Sequence, residues 1–263
     1  MTDCTVLCMK WGTLYSADYV NVLHSACRRA SRRDFRFVCL TDDAAGLAPG
    51  IEALPIPEIG LEPRHWKSGG WPKIGLFQPG LGGFTGRAVF VDLDMVVLDG
   101  LDDFFDHPAP FVTTDMGPNW RPGGAVGQHV GGQRGGRPEP GTCLFAFTFG
   151  EQDDLFDRFT RDIPRWTRDY RHEQAVIGFL AGSMDYWPAG WVISFKRWLR
   201  QPVGLDLIRP PRDPAGLCKV LAFHGEPRPI DLIRKPLWGE APHLGRGPVD
   251  WMRRYWVENG GPL

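Results

Sequence analysis

Asp92 and Asp94 stand two residues apart at the end of an apolar run, in "RAVFVDLDMVVLDGLDDFFD" (87–106). Side chains two apart on a strand point to the same side, so a strand continued through both aims both carboxylates one way. Two close carboxylates repel unless a cation or a proton lies between them. A hard divalent ion such as manganese or magnesium, held by few carboxylates and by substrate phosphate oxygens, suits that pair. A bare Asp-x-Asp is a weak signal, because solvated aspartates are common at strand ends. Here "AVFV" before it, "MVVL" after it and the acidic, aromatic "LDDFF" give it context.

Other groups with usable chemistry also follow apolar runs. His224 comes directly after "CKVLAF", and a neutral imidazole is a good manganese ligand. Arg228 lies four residues further on and offers a planar fork for phosphate oxygens. Lys10 with Trp11, Asp42 with Asp43, and Asp115 close three further runs. In open α/β sheets ligands bind beyond the carboxyl ends of the strands, so these groups are expected on one edge.

The elements that must position them alternate. Strands are expected at 5–9, 35–40, 52–56, 87–92, 110–115, 143–149 and 218–223. Helical spacing or start signals cover 16–30, 72–78, 101–105, 152–161 and 172–182. Strands alternating with helices predict an α/β fold, a three-layer α/β/α sandwich with a largely parallel central sheet. Neither a repeat nor a linker divides the 263 residues, so a single domain is expected. Within it, 1–115 carry the Asp92–Asp94 pair, 116–142 form a Gly-rich loop, and 143–263 contribute His224.

Residues 116–142 contain "RPGGAVGQHVGGQRGGRPEPG" and read as a long loop, with Trp120, Arg121, Gln128, His129 and Arg134 able to grip a ligand. The expectation is a lid over the site.

Composition excludes some partners. A net charge of −1 favours neither nucleic acid nor an anionic membrane. No apolar run approaches the roughly 20 residues that span a bilayer. The first residues lack a secretory pattern, and the six cysteines sit mostly in apolar runs without a CxxC pair. A cytoplasmic protein with reduced thiols is expected. Trp251, Tyr255 and Trp256 near a basic pair suggest a docking helix, with peripheral membrane contact the alternative.

The block "WPKIGLFQPGLGGFTGRAVFVDLDMVVLDGLDDFF" (71–105) resembles the central block of GT-A nucleotide-sugar glycosyltransferases. It is most similar to family 8, which includes glycogenin and bacterial lipopolysaccharide glycosyltransferases. "VLAFHGEPRP" (220–229) resembles the late His-Gly-Lys-Pro motif, "VLCMKWGTLYSADYV" (6–20) the first strand and uracil loop, and "HEQAVI" (172–177) the Asp-Gln pair of a later helix. The chain departs from the family in three places. It has "PGTCLF" where Asn-Ser-Gly is usual, His224 is adjacent to Gly225, and Glu173 replaces Asp.

The resemblance implies a metal-dependent transfer of a sugar, with retention, from a UDP-linked donor to an acceptor such as a cell-surface glycan precursor. Carried over, Asp92, Asp94 and His224 bind manganese or magnesium, and Asp92 also contacts the ribose. Tyr15 stacks on uracil, with Met9 and Trp11 near the base. Lys73, Gly225 and Arg228 face the sugar or the diphosphate. Asp115, Glu173 and Gln174 hydrogen-bond the transferred sugar. Two other readings compete. A haloacid-dehalogenase-type phosphatase would use Asp92 as nucleophile and Asp94 as general acid, but its Asp-x-Asp usually sits near the N-terminus and continues Gly-Thr. A sugar-binding protein without turnover would use the 11 tryptophans for stacking.

Overall fold

A computed structural model describes residues 4–117, 120 and 138–263. The lid expected of the 116–142 loop therefore falls largely outside the described residues, with Arg121, Gln128, His129 and Arg134 among those not covered.

The first apolar run forms β1 (Cys4–Lys10), and helix α1 (Ala17–Ala30) returns the chain to β2 (Arg36–Thr41). Ser16 sits at the start of α1, but its hydroxyl bonds Asp18 and does not cap the helix backbone. The short β3 (Glu52–Leu54) pairs with β2, and β4 (Arg87–Val91) pairs with the other side of β1. These four strands are parallel. Between β3 and β4 the segment Trp71–Phe77, expected as a helix starting at Pro72, winds as a 3-10 helix whose residues are all buried.

The chain does not stay in the sheet through both aspartates. Strand β4 stops at Val91 and a turn closed by Met95 N–H on the Asp92 carbonyl leads into β5 (Met95–Val97), which belongs to a second sheet. After α2 (Leu101–Asp106) come β6 (Phe111–Asp115) and β7 (Pro140–Thr148). Strand β7 lies between β4 and β6 and is antiparallel to both. Helices α3 (Asp153–Thr160), α4 (Ile163–Asp169) and α5 (Glu173–Leu180) follow, and β8 (Asp185–Tyr186) closes the sheet beside β6. The seven-stranded order is β3-β2-β1-β4-β7-β6-β8.

Strands β9 (Val192–Ser194) and β10 (Val220–Ala222) join β5 in the second sheet, with β10 in the middle. A short α6 (Asp231–Arg234), the hairpin of β11 (Leu237–Glu240) and β12 (His243–Arg246), and α7 (Asp250–Glu258) complete the described chain.

Strand alternation divides the core into two layers. Val6 and Cys8 of β1 face α1, whereas Leu7 and Met9 face the 3-10 helix and α5. On that second face Phe77, Phe90, Phe111, Phe145 and Phe147 pack ring to ring. Each such burial stabilises the fold by about 1.5–3 kcal/mol before entropy is counted. Trp251, Met252 and Trp256 of α7 pack inward and are buried in the core. Among the described residues no helix is long and apolar enough to cross a membrane. All six cysteines are free.

Candidate active site

The carboxyl ends of β1, β2, β4 and β6 lie on one edge, and polar groups there hold the loops. Lys10 Nζ donates to the Asp43 carbonyl (3.0 Å), and Asp42 Oδ2 accepts from the Gly12 N–H (2.8 Å). Lys10, Asp42 and Asp43 thus fasten the β1 loop to the β2 loop.

Two adjoining cavities open on this edge. The first, about 640 Å³, is lined by Met9, Trp11, Tyr15, Lys73, Asp92, Asp94 and Arg228. The second, about 280 Å³, is lined by Lys73, Asp92, Asp94, Glu173, Gln174, His224 and Gly225. Lys73, Asp92 and Asp94 are common to both, so the aspartate pair stands where the cavities meet. Both carboxylates reach the same cleft, but through the turn at 92–94 and not through strand pleating. Leu93 between them is buried in the core.

Lys73 Nζ lies 2.7 Å from Asp92 Oδ2 and 3.6 Å from Glu173 Oε1, and donates to the Thr142 carbonyl at 3.1 Å. Burial alone would pull the ammonium pKa down, but Asp92 and Glu173 outweigh it and the pKa is raised. Asp92 is pushed up by burial, partly offset by Lys73. Asp94 receives the Tyr15 hydroxyl on Oδ2 (3.1 Å) and is pushed up to about 7, first by burial and then by the Asp92 charge. Ionised together, Asp92, Asp94 and Glu173 outnumber the single Lys73 ammonium, and a divalent ion would offset that excess.

His224 is carried in by β10, where the Phe223 N–H meets the Asp94 carbonyl at 3.3 Å. Its Nε2 is 2.7 Å from Ser194 Oγ, and burial with Lys196 and Arg197 lowers its pKa to about 4. The ring is therefore neutral, with Nδ1 left for a ligand. Among the described residues no three His, Cys, Asp or Glu side chains converge closely enough to hold a metal unaided. The donor set is two carboxylates and an imidazole on the walls of one cavity, leaving positions for phosphate oxygens and water. That fits magnesium or manganese, which keep several such ligands.

The remaining expected residues divide. Met9 and Trp11 line the first cavity, and Trp11 Nε1 donates to the Trp66 carbonyl (2.9 Å). Tyr15 is occupied on more sides than uracil stacking supposes. Its hydroxyl serves Asp94, its ring packs edge-on with Tyr19, and the Arg228 guanidinium lies 5.7 Å from its centre. Glu173 is buried, with Oε1 taking the Thr142 hydroxyl (2.6 Å), so it serves Lys73 directly while Gln174 lies half-buried beside it.

Asp115 is not among the residues lining either cavity. A register shift between Thr113 and Thr114 bends β6, and Asp115 Oδ1 accepts from the Gly117 and Glu139 N–H groups. Sequence reasoning missed Trp66, Lys67, Ser68 and Gly70 in the first cavity and Thr142 in the second, whereas Trp120, expected to grip a ligand, does line the second. Gly69 and Gly70, at φ +87° and +65°, are the one local sign of a tight turn there. Trp120 packs on His224 with ring centres 5.7 Å apart.

No family model matches the chain, and no curated protein matches it in sequence. Solved structures match it in shape. A crystal structure of the galactosyltransferase LgtC, in complex with donor and acceptor sugar analogs, covers 97% of this chain and 95% of its own, with TM-score 0.58 and 14% identity. The apo form of the glycosyltransferase GlyE from Streptococcus pneumoniae TIGR4 covers 99% of this chain and 61% of its own, with TM-score 0.57 and 11% identity. The chain therefore has the GT-A-like α/β fold of these glycosyltransferases, a mixed sheet with mostly parallel central strands between helical layers. With LgtC in particular the likeness runs through nearly the full length of both chains.

Proposed function

We propose that the protein is a glycosyltransferase that takes a sugar from a nucleotide-diphosphate donor, with UDP as the nucleotide and manganese or magnesium as the cofactor. The observation that carries this reading is the place of Asp92 and Asp94 at the junction of a larger and a smaller cavity. The larger suits a nucleotide, the smaller a sugar ring, and the junction is where a diphosphate would lie. The divalent ion, held by Asp92, Asp94 and His224, would neutralise charge that develops on the leaving diphosphate.

The chain's own groups do the rest. Arg228 presents a guanidinium to phosphate oxygens from the wall of the larger cavity. Lys73 holds Asp92 in place and offsets part of the carboxylate charge at the boundary between the cavities. Gln174 and His172 offer donors and acceptors to sugar hydroxyls. If the transfer proceeds with retention, as the resemblance implies, the lack of an evident enzymic nucleophile among the described residues favours front-face transfer assisted by the leaving phosphate over a double displacement. A saccharide precursor of a surface glycan is the acceptor class in this reading.

The test is a panel of UDP- and GDP-sugars, read by thermal stabilisation and by slow donor hydrolysis with and without manganese. Stabilisation by a UDP-sugar that needs manganese, and that Asp94→Asn abolishes, is the expected result. Equal response in chelator would overturn it.

A further inference from the structure

A third basin, about 700 Å³, lies beside the donor cleft and has no part in the proposed transfer. It is set between the 3-10 turn at Pro63–Trp66 and helix α4 with the residues that follow it. Its walls carry the guanidinium groups of Arg64, Arg168 and Arg171, with His65 and Tyr170. The acids paired with them are already engaged. Arg64 Nε meets Glu62 Oε2 at 3.1 Å, and Arg168 Nε meets Asp169 Oδ1 at 2.9 Å. Arg64 spends a second donor on Glu62, Nη2 to Oε1 at 3.1 Å, and each of these arginines still keeps N–H donors beyond those contacts. Arg171 makes no side-chain hydrogen bond or ion pair among the described residues.

His65 gives an independent indication. It is buried, with 8% of its surface exposed, and its Nδ1 accepts from the Glu62 N–H at 3.2 Å. Accepting at Nδ1 puts the proton of the neutral ring on Nε2. That N–H has no partner among the described residues. His65 lines the basin, and an anion held there would accept from this donor alongside the guanidinium groups.

The basin adjoins the cleft at two points. Ser68 lines both it and the nucleotide cavity. Arg171 is followed by His172, which lines the sugar cavity. We infer that the basin is an acceptor subsite for an anionic group, a carboxylate or a phosphate, borne by a saccharide. Guanidinium forks match both oxyanions, and the Tyr170 ring offers a face for the sugar. That the ligand is the acceptor rests on the glycosyltransferase reading, whereas binding of the anion does not.

The experiment separates the two. Glucuronate, glucose 6-phosphate and glucose are titrated calorimetrically into the wild type and into the double variant Arg168→Gln/Arg171→Gln, with and without UDP and manganese. The expected result is binding of at least one acidic sugar about tenfold tighter than glucose, lost about tenfold in the double variant, with UDP affinity unchanged. Which acid binds better distinguishes carboxylate from phosphate. Equal binding of acids and glucose, no binding of either acid, undiminished binding in the variant, or displacement of the acids by UDP each overturns the proposal. If UDP binds neither protein, the donor reading fails while the acid titrations still decide the basin.

Discussion

Lys73 Nζ lies 2.7 Å from Asp92 Oδ2, and through that contact one buried ammonium joins a 3-10 helix to the aspartate turn and, via Glu173, to helix α5. Three elements distant in sequence are thereby set around one charge group, and the two cavities acquire a common wall.

Removing Lys73 leaves Asp92 and Glu173 facing each other in a poorly solvated place. Breaking a buried pair in this way costs about 3–5 kcal/mol. Lys73→Ala should lower the urea midpoint accordingly. Adding Glu173→Gln to it should recover part of the loss, because one uncompensated charge is gone. Additive effects in the double variant would show that the two residues are not coupled.

The raised pKa of Asp94, about 7, fixes a sign. An unfolded aspartate titrates near 4, so between about pH 4 and 7 the ligand-free folded protein holds a proton that the unfolded chain has lost. Stability conferred by the protonated form is present below that window and is lost as pH rises through it. Asp94→Asn should therefore raise the melting temperature of the metal-free protein at pH 8, by about 1–3 kcal/mol in stability, and change little at pH 4. Manganese should stabilise the wild type at pH 8 and not the variant.

Gly70 has φ +65°, and a Cβ built there would lie 2.5 Å from Glu173 Oε2. Gly70→Ala then combines backbone strain with displacement of a buried carboxylate. A loss of about 2–4 kcal/mol in chemical denaturation is expected, with weaker UDP-sugar binding because Lys73 loses its second partner. A variant as stable as wild type would mean that the 67–70 turn has freedom to move away.

Ser194 Oγ fixes His224 through Nε2. If Nδ1 is the metal-facing atom, Ser194→Ala should raise the manganese requirement about tenfold while leaving metal-free UDP binding unchanged, as loss of an orienting hydrogen bond does. An unaltered manganese titration for both Ser194→Ala and His224→Ala would make His224 a structural residue.

The sequence by itself determined the strand–helix alternation and the positions of the chemistry that follows apolar runs. β1, β2, β4, β6 and β10 all lie within the expected segments or one residue beyond them, because alternate burial on two layers forces apolar residues into short runs. The Asp92–Asp94 pair, Lys73 and His224 were legible for the same reason: each is a charged or polar group set against such a run. Tertiary structure alone decided the rest. Apolar alternation carries no sign for direction, so the antiparallel insertion of β7 between β4 and β6 could not be read. The departure of β5 into a second sheet was equally hidden, since "MVV" suits either sheet, yet it is what turns both aspartates into the cleft. Glu173 was placed at the sugar by resemblance, and the fold gave it Thr142, 31 residues away in sequence, and Lys73, more distant still. Asp115 ended a strand as expected, but a bulge spent its carboxylate on two backbone N–H groups. Hydrogen-bond partners of buried charges are chosen by whichever element arrives alongside, and that is fixed by packing across the sheet, not by neighbours along the chain.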